Sequence, residues 1–168
     1  MSAYFYETRI GAIGIAEKGG KITRLYFPND RRPPNTPIQE TPLLQEAAQQ
    51  LQNYLTGKLT GFSLPLQPEG TAFMQQVWSR LCEIPYGETA SYKRLAESIG
   101  NPNAARAVGM ANNRNPIPIF IPCHRVIGAS GSLVGYRGGL DLKSRLLKLE
   151  KESPPCPSLN TDRKKSRI

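Results

Sequence analysis

Pro116, Pro118 and Pro122 punctuate an apolar stretch, Asn115-Pro116-Ile117-Pro118-Ile119-Phe120-Ile121-Pro122, that leads into Cys123. The isoleucines and Phe120 demand burial. Proline has no backbone N–H and a fixed φ, so three of them bar both a helix interior and a central strand. A buried stretch that is neither should be a rigid, extended approach that places Cys123 reproducibly. His124, the only histidine of the chain, follows directly. Thiol chemistry needs a thiolate, and a neighbouring imidazole is the usual means of raising its fraction. Adjacent side chains often point apart, so the Cys123–His124 pairing is an expectation for the structure to test.

The rest of the chain divides around this segment. Tyr4–Tyr6, Ile13–Ile15 and Ile22–Phe27 are rich in β-branched and aromatic residues and predict strands. Lys18-Gly19-Gly20-Lys21 supplies a hairpin turn. Residues 28–42, with five prolines, read as loop. Thr41-Pro42 opens a helix as N-cap and first residue, and Gly57 ends it. Residues 58–70 read as a connector.

A second unit opens at Thr71. Phe73, Val77, Trp78 and Leu81 predict a helix, broken by Pro85-Tyr86-Gly87; Trp78 and Cys82 read as core. Thr89 or Ser91 caps the next helix, and Gly100-Asn101-Pro102-Asn103 turns the chain into a third, from about Ala104 to Asn112. Two short helices joined by such a turn form a helix-turn-helix candidate. The small-residue run Ala104-Ala105-Arg106-Ala107-Val108-Gly109 fits close approach to a surface or tight packing on a neighbouring helix. A glycine-rich loop, 128–139, precedes a last helix from Leu140 to Glu150.

The charge of +9 is uneven. Residues 71–152 carry 11 Lys/Arg against 6 Asp/Glu, while residues 1–70 carry 7 against 6. A basic face around the Cys-His pair suggests a polyanionic partner, with nucleic acid first. No apolar run approaches the length of a membrane span, and the N-terminus lacks a signal-peptide pattern. Three widely spaced cysteines give no disulfide framework and fit a reducing intracellular compartment. Spacings typical of zinc sites are absent, so no metal and no cofactor are expected. Residues 153–168, basic and proline-containing, are expected to be a disordered tail.

Pro85-Tyr86-Gly87-Glu88-Thr89-Ala90-Ser91-Tyr92, Ala104–Gly109, Asn115-Pro116, Ile121-Pro122-Cys123-His124-Arg125-Val126, Gly135-Tyr136-Arg137-Gly138-Gly139 and Leu146–Glu150 together resemble the O6-alkylguanine-DNA alkyltransferases. The resemblance implies a small α/β domain with an antiparallel sheet over 1–68. It implies a mainly helical domain with the helix-turn-helix over 71–152. Cys123 would accept the alkyl group, and His124 would take its proton through a bound water. Glu150 would orient and charge the imidazole, and Asn115 would tie the active-site turn to the recognition helix. Tyr92 would donate a proton to the departing guanine and contact the DNA near the flipped nucleotide's phosphate. Arg106 would fill the space of the flipped base, with Ala104, Ala105, Ala107, Gly109 and Arg125 at the DNA. Val126, Gly135, Tyr136 and Arg137 would line the base pocket. Arg137 stands where some relatives have a small polar residue, which bears on bulky alkyl groups. Some relatives hold zinc in the N-terminal domain; one histidine makes that unexpected here.

The implied partner is double-stranded DNA carrying O6-alkylguanine, bound by a monomer in the cytoplasm, nucleoid or nucleus, with no membrane. A lesion binder that lacks transfer, a sequence-reading regulator and a Cys-His hydrolase are the rivals. Cys123 opposes the first. The scarcity of base-reading side chains near Arg106 opposes the second. Hydrolytic turnover of an ester would favour the third.

Overall fold

The computed structural model describes residues 1–153. They form two compact units, with the boundary between Pro68 and Glu69. The tail expected to be disordered lies, after Ser153, outside the described residues.

The first unit is built on β1 (Ser2–Thr8), β2 (Gly11–Lys18) and β3 (Lys21–Tyr26), antiparallel in that order. Gly19 and Gly20 both take positive φ (59° and 75°), which a tight hairpin turn requires and which glycine adopts without steric cost. Tyr4 pairs with Ile15, and Ile15 with Leu25. β2 is central, and its residues 13–16 are buried. Gly14 is needed there, because an added methyl would overlap the Phe5 ring. α1 (Pro42–Leu55) packs on the sheet through Leu44, Ala47, Leu51 and Tyr54. Its N-cap is Thr41, whose hydroxyl accepts from the Leu44 N–H at 3.2 Å.

The two segments read as loop and connector do more than connect. Ile38 bridges Ala3 on β1, and Leu66 bridges Ile22 on β3. Each contact is secured by two backbone hydrogen bonds of 2.8–3.0 Å. Both open edges of the sheet are thereby partly paired. The surrounding prolines keep the pairing to single residues.

The second unit comprises α2 (Ala72–Leu81), β4 (Ala90–Ser91), α3 (Tyr92–Ser98), α4 (Ala105–Asn113), a one-turn 3₁₀ helix (Cys123–Arg125), β5 (Val126–Ile127) and α5 (Leu140–Glu152). Trp78 is buried, and its indole N–H donates to the Ala111 carbonyl at 2.8 Å, which ties α2 to α4. α3 starts under the Ser91 cap, and residues 99–104 turn it into α4, on which it packs. Cys82 is half-buried, and burial pushes its thiol up to about 12, the behaviour of an inert core cysteine.

The approach to Cys123 is not extended. Residues 117–121 close into a turn in which the Ile121 N–H donates to the Ile117 carbonyl at 2.9 Å. Ile119 sits at φ 72°, a left-handed conformation that costs a β-branched residue about 1–2 kcal/mol. Ile117, Ile119, Phe120 and Ile121 are all buried, and that packing holds the turn. Prolines 116, 118 and 122 restrict their own torsions and leave the residues between them free to reverse the chain.

A candidate thiol active site

The smallest elements position the site. β4 and β5 form a parallel pair, with Ala90 opposite Val126 and Ser91 opposite Ile127. Tyr92 follows β4 directly, and Cys123–Arg125 precede β5 directly. A two-residue ladder therefore sets the phenol at the start of α3 beside the thiol. An ionised Cys123 sulfur raises the pKa of Tyr92, and that of Tyr136 from the glycine-rich loop.

Asn115 holds the turn below the thiol. Its Nδ2 donates to the Ile121 carbonyl at 2.9 Å, and its Oδ1 accepts from the Ile117 N–H at 3.0 Å. It also hydrogen-bonds the Cys123 sulfur. Burial raises the Cys123 thiol above its ordinary value; Asn115, Arg137 and Lys143 pull against that without cancelling it. The resting sulfur is therefore a thiol, and a base must remove its proton.

His124 is the next residue in the chain. It is fully buried, and its Nε2 lies 2.6 Å from Glu150 Oε2. Burial lowers its pKa below 6.5, and Glu150 offsets this in part, so the ring is neutral near pH 7. An ionised carboxylate only accepts hydrogen bonds, so the ring proton sits on Nε2 and Nδ1 is the basic nitrogen.

Glu150 is ionised for a countable reason. Burial alone would raise its carboxyl. His124 through Nε2 and Arg125 through Nε at 2.8 Å and Nη2 at 3.2 Å reverse that, and the Gly87 N–H is a fourth donor at 3.1 Å. The carboxyl is held well below the usual range. Gly87 sits at φ 79°, where glycine is unstrained, and this aims its N–H at Glu150 from the Pro85-Tyr86-Gly87 turn.

Arg125 was expected at a DNA surface, and the structure corrects this. Its residue is 8% exposed, with Nε and Nη2 on Glu150 and Nη1 donating to the Ile84 carbonyl at 2.7 Å. A guanidinium spent on three buried bonds cannot reach a phosphate. Ala104 is also corrected: it is buried at the start of α4. The outward face of α4 carries Arg106 and Ala107, with Met110 52% exposed one turn on from Arg106. Ala105 is half-buried, and Gly109 faces the Tyr92 ring.

Val126 is fully buried in β5, and Arg137 is exposed while its charge still acts on Cys123. Gly135 lies against the Asn113 amide with φ 51°. The Tyr92 hydroxyl donates to the Val134 carbonyl at 3.1 Å. Burial and Cys123 raise the Tyr92 pKa while Asn112 lowers it, so the phenol is a proton donor at neutral pH.

Two buried polar residues of the site escape a reading by residue type. Lys143 is fully buried, and its Nζ donates to the same Val134 carbonyl at 2.9 Å. Asn112 donates to the Cys123 carbonyl at 3.4 Å. Helical spacing could have found both: Lys143 lies on the stripe of Leu146 and Glu150, and Asn112 lies one turn past Val108. Among the described residues, no three His, Cys, Asp or Glu side chains lie together to hold a metal ion, and no helix is long and apolar enough to cross a membrane.

Two family models match the chain: "6-O-methylguanine DNA methyltransferase, ribonuclease-like domain" over residues 1–68, and "6-O-methylguanine DNA methyltransferase, DNA binding domain" over residues 72–152. A methylated-DNA–protein-cysteine methyltransferase of Methanosarcina barkeri is 52% identical over 150 residues, covering 88% of this chain and 95% of that one. The constitutive methylated-DNA–protein-cysteine methyltransferase of Bacillus subtilis is 48% identical over 154 residues, covering 88% and 93%. A crystal structure of Mycobacterium tuberculosis OGT in complex with DNA superposes with a TM-score of 0.86 at 44% identity, over 92% of this chain and 96% of that one.

Proposed function

The chain belongs to the 6-O-methylguanine DNA methyltransferase family, and on that premise we propose that it repairs DNA by moving the alkyl group of an O6-alkylguanine onto Cys123, once per molecule. The observation that carries the reading is the buried relay behind the thiol, in which one carboxylate with four donors holds a neutral imidazole.

The helix-turn-helix of α3 and α4 meets double-stranded DNA with Arg106 outermost. The alkylated oxygen lies inside the base stack, so the nucleotide is flipped out, at a cost of a few kcal/mol. Arg106 takes the vacated space. His124 Nδ1 receives the thiol proton, and the charge that forms on the ring is stabilised by Glu150. The sulfur attacks the alkyl carbon in line as the O6–carbon bond breaks. Its electron pair passes into the purine, and Tyr92, released from Val134, protonates the departing guanine. The charges of Arg137 and Lys143 favour the thiolate along the way. The product is a thioether, which no group at the site can hydrolyse. A chemistry that consumes a free thiol fits an intracellular protein working where the DNA is.

The test is a count. A fixed amount of protein is mixed with increasing duplex bearing one O6-methylguanine, and repaired guanine is measured. Repair that stops at one guanine per protein is the expected result. Repair that continues past one equivalent, or none at all, would overturn the reading.

A further inference from the structure

A cleft of about 240 Å³ opens between the end of α2, the 83–90 turn and α3. Its buried lining is apolar, with Ile84 and Leu95. Its exposed lining is charged. Arg80 Nη1 and Glu83 Oε2 pair at 3.1 Å and neutralise one another. Glu88 and Arg94 are both exposed. Among the described residues, neither the Glu88 carboxylate nor the Arg94 guanidinium has a hydrogen-bond or ion-pair partner, and they do not pair with each other. The same turn gives its Ile84 carbonyl to Arg125 and its Gly87 N–H to Glu150, and neither of those two side chains lines the cleft. The cleft and the relay therefore share one wall.

The charges decide what such a cleft can hold. A simple anion drawn to Arg94 also meets Glu83 and Glu88, and a simple cation drawn to Glu88 also meets Arg80 and Arg94. A molecule that carries both charges satisfies the two unpaired groups at once through charge-assisted hydrogen bonds. An apolar side chain on that molecule would cover Ile84 and Leu95. We propose that the cleft binds a small zwitterion with an apolar side chain, an α-amino acid by class, and that its occupant acts on the relay through the wall they share. Arg94 takes the carboxylate and Glu88 the ammonium group. The ligand then ties the 83–90 turn to α3, and any shift of that turn reaches Glu150 through Gly87 and Arg125 through Ile84. The effect on rate rests on the alkyl transfer proposed above; the binding does not.

The experiment titrates L-leucine into the full-length protein by isothermal calorimetry, with isocaproate, which lacks the ammonium group, and isopentylamine, which lacks the carboxylate. Leucine is expected to bind with a Kd of roughly 1 mM or below. Each of the other two is expected to bind weaker by roughly tenfold or more, the worth of one charge-assisted hydrogen bond. Arg94→Gln should weaken leucine by a similar factor and leave isopentylamine unchanged; Glu88→Gln should weaken leucine and leave isocaproate unchanged. Saturating leucine should change the single-turnover transfer rate of the wild-type protein by roughly fivefold, a modest coupling between two sites, and should leave the rate of Arg94→Gln unaltered at the same concentration. No leucine binding at about 10 mM overturns the proposal, since a millimolar site would be filled there. So does isocaproate binding as tightly as leucine, or leucine binding that ignores both substitutions. Bound leucine that leaves the wild-type rate unchanged overturns the coupling. A wild-type protein that transfers nothing with or without leucine defeats the alkyl-transfer reading and the coupling with it, while calorimetry still decides the site.

Discussion

Arg125→Met separates a folding role from a DNA role. Methionine keeps much of the aliphatic length and removes the guanidinium, so the change leaves little cavity. It deletes two hydrogen bonds to Glu150 and one to the Ile84 carbonyl. Removing one partner of a buried ion pair costs about 3–5 kcal/mol, because the other charge stays buried without compensation. His124 and the Gly87 N–H still hold Glu150, which favours the lower end of that range. The Ile84 carbonyl loses its donor, which adds about 1 kcal/mol or more. For a chain of this size, about 4 kcal/mol corresponds to a melting temperature lower by roughly 10 °C. DNA affinity measured against salt should keep its slope, since no phosphate contact is lost. A surface arginine would behave oppositely, with unchanged melting and a slope smaller by about 0.9 for one phosphate. Differential scanning calorimetry and fluorescence titration over a salt series read both quantities. Unchanged melting together with a reduced salt slope would refute the burial argument for Arg125.

Three further outcomes follow from the same geometry. Glu150→Gln puts an amide N–H against donors and removes the charge that stabilises the imidazolium; single-turnover transfer should slow by roughly 10²-fold or more while duplex binding persists, and an unchanged rate would remove Glu150 from the relay. Arg106→Ala should slow repair of duplex DNA by more than it slows reaction with the free base O6-methylguanine, whereas equal losses would contradict its role in the duplex. His124 and Glu150 bind protons less readily folded than unfolded, so unfolding free energy should fall as pH drops, first below about 6.5 for His124 and then below about 4.5 for Glu150. Cys123 has the opposite sign, and stability should fall above about pH 9 as the unfolded thiol ionises. Urea titrations from pH 4 to 10 would show a plateau between those limits, and stability that rises on acidification would refute the proton assignments.

The parts legible in the sequence are those set by local chemistry. Thr41-Pro42 and Ser91 announce helix starts because their oxygens meet specific N–H groups. Gly19-Gly20 announces a hairpin because both positions need positive φ. Cys123 and His124 stand out by residue type. The parts that were not legible depend on tertiary placement. β4 and β5 are two residues long, too short for any periodicity, yet they join the phenol to the thiol. The reversal at Ile119 depends on burial overcoming torsional strain, and no propensity predicts a left-handed isoleucine. The resemblance alone placed Arg125 at the DNA; its three hydrogen bonds go to residues 84 and 150, far away in the chain. Asn112 and Lys143 are invisible to residue type, which marks both as surface residues, and only their helical spacing from Val108 and from Leu146 and Glu150 points inward.

The central claim is that Cys123 itself is the acceptor. Intact mass of the protein after incubation with a duplex bearing one O6-methylguanine, followed by peptide mapping, tests it directly. The account predicts a single methyl in place of one proton, on the peptide containing Cys123 and on its sulfur, with none on Cys82 or Cys156. A protein that retains the duplex but stays unmodified, or a methyl found on another residue, would contradict it.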